Sequence, residues 1–136
     1  MIKINELRIG NYLQNEIDKS LLVVCGLREN EIMTTVSERS KYPLPIGWKA
    51  QPIPLTEEWL LKFGFNPAKS TPILGWYFID TGKFEFEILF GVQRLDGKRD
   101  GKYKVYVCNN YLCDIFYIHD LQNLYFALTG EELTMK

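Results

Sequence analysis

His119 is the only histidine of the chain, and three groups that work with imidazole stand near it in sequence: Cys113, Asp114 and Asp120. A thiol, an imidazole and a carboxylate are the parts of a nucleophilic device, in which the base takes the thiol proton and the acid orients the base. Cys113 is flanked by Leu112 and Asp114, with no nucleophile elbow or glycine-rich oxyanion loop beside it. The group therefore reads first as a histidine at the edge of a helix, bonded to a turn carbonyl or a carboxylate. A small hydrolase or transferase using His119 is the alternative. Cys108, Cys113 and His119 also lie close, but paired zinc ligands usually stand about two to four residues apart and need a fourth ligand. No metal and no cofactor is expected.

Two further groups carry binding chemistry. His119, Gln122, Asn123 and Phe126 fall at three-and-four spacing on a helix, an imidazole and two amides beside one aromatic. Such a face either orients a ligand by hydrogen bonds or anchors neighbouring loops by satisfying their backbone. Tyr42 and Trp48 lie in the proline-rich connection 37–54, flanked by Arg39, Lys41 and Lys49. Pro43, Pro45, Pro52 and Pro54 favour extended backbone there, so the connection either presents those aromatics to a partner or straps them over the core. Gly97-Lys98-Arg99-Asp100-Gly101-Lys102 lacks the order of a phosphate loop and reads as a basic hairpin tip. With Lys104, Tyr103 and Tyr106 it offers phosphate contacts, but four cations in a neutral chain usually make a solvated loop.

Composition narrows these readings. The 136 residues carry 16 Lys plus Arg against 17 Asp plus Glu, a formal charge of -1, so no overall field draws the chain to nucleic acid. With 46% hydrophobic and 24% charged residues it is a globular sequence, long enough for one domain, 1–136, without disulfide or metal staples. Three cysteines, an odd number, suit reduced and packed thiols. The N-terminus has no apolar core of signal length, and no run approaches the roughly 18 to 20 apolar residues that cross a bilayer. The expectation is a cytoplasmic protein with no membrane segment.

The elements that must position these residues follow from local patterns. Leu7-Arg8-Ile9-Gly10-Asn11-Tyr12-Leu13 reads as a strand bent at glycine; Leu21-Leu22-Val23-Val24-Cys25-Gly26-Leu27 is apolar on both parities, and Glu31-Ile32-Met33-Thr34-Thr35-Val36 alternates. Together they predict an antiparallel meander of SH3-like curvature. A helix over about 56–63 is fully punctuated: Thr56 as N-cap, a Leu55–Leu60 staple, Glu57 and Glu58 in the first turn, Gly64 to stop it, and Phe65 folding back on Leu60. Capping accounts for that carboxylate pair without acid–base work.

Gly75-Trp76-Tyr77-Phe78-Ile79-Asp80 reads as a strand, and Phe84, Phe86, Ile88 and Phe90 alternate with Glu85 and Glu87. Tyr103, Val105 and Val107 continue that apolar face, opposite Lys102, Lys104 and Tyr106, so Glu85 and Glu87 are expected to meet Lys102 and Lys104. Asn109-Asn110 suits a two-residue hairpin. Pairing Cys108 with Tyr111 would then turn Asp114 onto the apolar face with His119 as its partner, whereas a shift of one register would put Asp114 in water. The last helix, about 118–129, carries an apolar stripe of Ile118, Leu121, Leu124, Tyr125 and Leu128. The predicted class is α+β, with both helices packed on an antiparallel sheet whose inner face includes Phe84, Phe86, Ile88, Val105 and Val107.

Three blocks carry a resemblance: Asn5-Glu6-Leu7-Arg8-Ile9-Gly10-Asn11-Tyr12, Ile53-Pro54-Leu55-Thr56-Glu57-Glu58-Trp59-Leu60-Leu61-Lys62-Phe63-Gly64-Phe65, and residues 117–133 from Tyr117 through His119-Asp120-Leu121-Gln122-Asn123 to Leu133. Together they are similar to an uncharacterised family of short proteins from Bacteroidetes and their phages, which often reads His-Gln-Leu-Gln-Asn where this chain has His119-Asp120-Leu121-Gln122-Asn123. The resemblance implies a phage or mobile-element setting and no mechanism. The expected function is a small non-enzymatic binding or adaptor protein whose partner is a protein or small molecule rather than nucleic acid; it allows a homo-oligomer. An anti-defence protein that sequesters a signalling nucleotide or blocks a host effector is the alternative from a second class.

Overall fold

The computed structural model describes residues 4–28, 31–35, 50–67, 76–90 and 103–136. Tyr42, Trp48 and the tip formed by Lys98, Arg99 and Lys102 lie outside the described residues. The chain is α+β, with two antiparallel sheets and two helices. It divides into two compact units, Met1–Pro54 with Tyr117–Glu132 and Leu55–Phe116 with Leu133–Lys136. Among the described residues no helix is long and apolar enough to cross a membrane.

In the first unit, strands β1 (Tyr12–Asn15), β2 (Leu21–Arg28), β3 (Glu31–Thr35) and β4 (Ala50–Pro52) pair in the order β3-β2-β1-β4. β1 begins later than the sequence predicts. Gly10 takes φ 100 ahead of the strand, not within it, so the backbone turns there and Asn11 Oδ1 accepts the Arg8 N–H at 2.7 Å. Leu13 stands opposite Leu22, and both bury with Leu7 and Val24, while Tyr12 and Val23 are buried on the other parity. Apolar side chains on both parities mark a strand pair covered on both faces, as the sequence of β2 implies.

Helix α1 of the described chain (Glu57–Lys62) belongs to the second unit. Its punctuation is as read: Thr56 Oγ1 accepts the Trp59 N–H at 3.3 Å, and Gly64 takes φ 93. Phe65 N–H reaches Leu60 O at 3.0 Å and Gly64 N–H reaches Leu61 O at 3.0 Å, the two bonds of a Schellman ending. Phe65 then meets Phe86 edge to face at 6.0 Å between centroids.

The second sheet is a meander of β5 (Asn66–Pro67), β6 (Trp76–Asp80), β7 (Glu85–Phe90), β8 (Tyr103–Val107) and β9 (Asn110–Ile115). Its inner face buries Phe86, Ile88, Tyr103, Val105 and Ile115. Phe84 is half-buried, and Glu85 is exposed on the opposite parity, as the alternation predicts.

Two register expectations are corrected. The β8–β9 turn is Cys108-Asn109, at φ 51 and 65, so Val107 pairs with Asn110 and the hairpin sits one residue earlier than Asn109-Asn110 would place it. A bulge at Leu112 then shifts the ladder, and Asp114 comes opposite Lys104 instead of facing the apolar side. Glu87 stands opposite Tyr106 and Lys104 opposite Leu89, which replaces the expected pairing of Glu87 with Lys104.

The last helix, α2 (Ile118–Thr129), packs in the first unit against β1. The sheet of Phe86 and Val105 falls in the unit of α1, and α2 in the unit of β1. Asp120 Oδ2 accepts the Tyr117 N–H at 3.1 Å, and Gly130 at φ 76 ends the helix. The buried positions are Ile118, His119, Leu121, Gln122 and Tyr125, whereas Leu124 is half-buried and Leu128 is 37% exposed. At about 100° per residue the buried face is turned roughly 70° from the predicted stripe, toward Gln122.

Candidate functional site

The rotation of α2 sets which of its polar residues are buried. Gln122 is 0% exposed; its Oε1 accepts the Tyr12 N–H at 2.8 Å and its Nε2 donates to Gly10 O at 3.2 Å. Asn123 works one step along the same segment: Nδ2 donates to Glu6 O at 2.8 Å, and Oδ1 accepts from Asn11 Nδ2 at 2.8 Å and an Arg8 guanidinium nitrogen at 2.9 Å. The Arg8 guanidinium also pairs with the Glu132 carboxylate and lies over the Phe126 ring, 4.1 Å from its centroid. Thus Gln122, Asn123 and Phe126 are brought together, around the segment 6–12, which they hold along the helix.

His119 is 1% exposed, and neither ring nitrogen has a hydrogen-bond partner among the described residues. Its ring stacks on Tyr117 at 5.7 Å and 8° between planes, and Nε2 stands 3.5 Å from Asp120 Oδ1. Burial pushes the imidazole below its ordinary pKa, with Asp120 and then Glu6 pulling the other way. Asp114, grouped with His119 in sequence, accepts instead from the Tyr111 hydroxyl at 2.8 Å, which holds that phenol above its usual pKa. Among the described residues no three His, Cys, Asp or Glu side chains gather as a metal site.

The second unit carries a surface the sequence reading did not assign. Register places Trp76, Phe78 and Asp80 of β6 with Glu85, Glu87 and Leu89 of β7, Lys104 and Tyr106 of β8, and Tyr111 and Asp114 of β9 on the outer face of the sheet. Trp76 and Tyr106 meet across β7 with centroids 5.1 Å apart, and Tyr106 meets Tyr111 edge to face at 5.7 Å. The row is half-exposed at Trp76 and Tyr106, and 52% exposed at Tyr111. Parity alone could have found Tyr106 opposite Val105, but β6 is apolar on both parities and Tyr111 depends on the bulge.

Glu87 lies within this face, opposite Tyr106. Burial, and then the neighbouring Glu85 charge, raises its pKa above the usual carboxylate value. The face can therefore stack planar or cationic groups and accept hydrogen bonds from them. Compared with family models, curated proteins and solved structures, the chain matches none of them.

Proposed function

We propose that this chain is a small non-enzymatic binding protein that recognises a protein partner through the outer face of its second sheet. The observation that carries the reading is the row Trp76–Tyr106–Tyr111, exposed in part at each ring, in which successive ring centroids lie 5.1 and 5.7 Å apart. Aromatic anchors of this kind supply large contact area at low conformational cost and are enriched among binding hot spots. Gln122 and Asn123, by contrast, have their amides on the backbone of Tyr12, Gly10 and Glu6. Those bonds support the anchoring side of the choice their sequence spacing left open.

Phage or mobile-element origin is proposed from the resemblance alone, and a cytoplasmic location is proposed beside it. SH3-like curvature of the sheet β3-β2-β1-β4 is part of the same proposal, supported by its short, consecutive antiparallel strands.

Native mass spectrometry of the protein purified from cells of its host, beside Tyr106→Ala and Tyr111→Ser, tests the reading. The wild type is expected to retain a protein partner that both variants lose, with melting temperatures close to the parent. Retention of a nucleotide would favour the sequestering alternative. A partner retained equally by all three proteins, or turnover of a substrate abolished by His119→Ala, would overturn the reading.

A further inference from the structure

The chemistry of the partner can be taken one step further, and this step rests on the binding-face reading above. Beside its aromatic row the outer face carries Asp80, Glu85, Glu87 and Asp114 against Lys104, four carboxylates and one ammonium among the described residues. A polyanion approaching the rings would meet this excess of negative charge, whereas a cation would be drawn to it. We propose that the face docks a basic segment of a partner protein, with an arginine or lysine head seated on the Trp76–Tyr106–Tyr111 row and paired with Glu87.

Three observations converge on that occupant. The rings offer π-faces, and Glu87 stands directly opposite Tyr106, so one cation can touch a ring and a carboxylate together. Glu85 and Glu87 share one face of one strand, and a cation beside them relieves their mutual repulsion. Elsewhere the chain uses the same chemistry internally: Arg8 covers Phe126 and Lys62 covers Trp59, at 4.1 and 4.7 Å from the ring centroids. Among the described residues no cation covers Trp76, Tyr106 or Tyr111. An incoming arginine would be favoured over lysine because its planar guanidinium stacks and bonds a carboxylate at once.

The experiment is a selection from a random-peptide display library on the wild-type protein, counter-selected on Tyr106→Ala, followed by fluorescence anisotropy of the enriched peptide. Enriched peptides are expected to hold more Arg and Lys than Asp and Glu. Binding should fall about tenfold in Tyr106→Ala, a few-fold in Glu87→Gln, and further as salt is raised. Glu87→Gln, at a half-exposed position, serves as the variant that leaves the fold intact. Enrichment of acidic or neutral peptides, binding insensitive to Tyr106→Ala, or preference for a single-stranded oligonucleotide would overturn the basic-segment proposal. If the cellular partner is still lost from Tyr106→Ala while no basic peptide binds, the binding face stands and only its partner chemistry is refuted. If the cellular partner proves to be a second copy of this chain seated without a basic residue on the row, the basic-segment proposal also fails.

Discussion

Replacing Gln122 by alanine should open the first unit from its N-terminal segment. The side chain is 0% exposed and makes one bond to Tyr12 N–H at 2.8 Å and one to Gly10 O at 3.2 Å. Tyr12 is itself 1% exposed, so its amide loses its partner at a site where little water reaches it. An orphaned buried donor or acceptor costs about 1 to 3 kcal/mol, and the missing side-chain atoms add a cavity term, so the two losses sum to about 3 kcal/mol with a range of about 2 to 5. Native-state hydrogen exchange at the Tyr12 amide reads this locally and does not require the two units to unfold together. Protection at Tyr12 should fall by about a hundredfold or more, with amides of β7 and β8 unchanged. Protection of Tyr12 within about threefold of the wild type would refute the anchoring role of Gln122.

Other consequences are equally specific. Leu121→Ala, at 0% exposure, should cost about 2 to 5 kcal/mol, and Leu128→Ala, at 37% exposure, less than about 0.5 kcal/mol by chemical denaturation; equal losses would contradict the orientation of α2. Gly64→Ala places a Cβ at φ 93 and 3.0 Å from Lys136 Cγ, so it should lower stability by about 1 kcal/mol or more. His119 has a folded pKa below its ordinary value of 6.5, so the unfolded chain binds the proton first. The stability it contributes is present above about pH 6.5 and is lost as pH falls toward the folded pKa; His119→Phe should flatten that part of the pH–stability profile, and an unchanged slope would show the histidine is not responsible.

What could be read in the sequence was what is decided locally. Thr56, Gly64 and Phe65 act within a few residues of the helix they bound, and the caps of α1 follow the sequence position by position. The alternation of Phe86 and Ile88 with Glu85 and Glu87 is likewise intrinsic to one strand. The β8–β9 hairpin misled because Cys108-Asn109 and Asn109-Asn110 are both workable turns. Cys108 accepts φ 51 while the Asn110 amide bonds its carbonyl at 3.1 Å, and the bulge at Leu112 restores the facing of Ile115.

The face of α2 was hidden for a different reason. Counting apolar residues selects Leu124 and Leu128, but Gln122 is buried because its amide is bonded to backbone 110 residues away in sequence. A polar residue whose partner is that distant looks like surface. The aromatic row had the same character, since Trp76, Tyr106 and Tyr111 become neighbours only through the registers of three strand pairs.

Amide chemical-shift mapping during titration with the peptide selected on the wild type tests the binding face most directly. Shifts should cluster on Trp76, Phe78, Glu87, Leu89, Lys104, Tyr106, Tyr111 and Asp114, the residues that share the outer face, and should leave Tyr12, Gln122 and Asn123 unmoved. Shifts centred on the polar side of α2, with the outer face silent, would contradict the account.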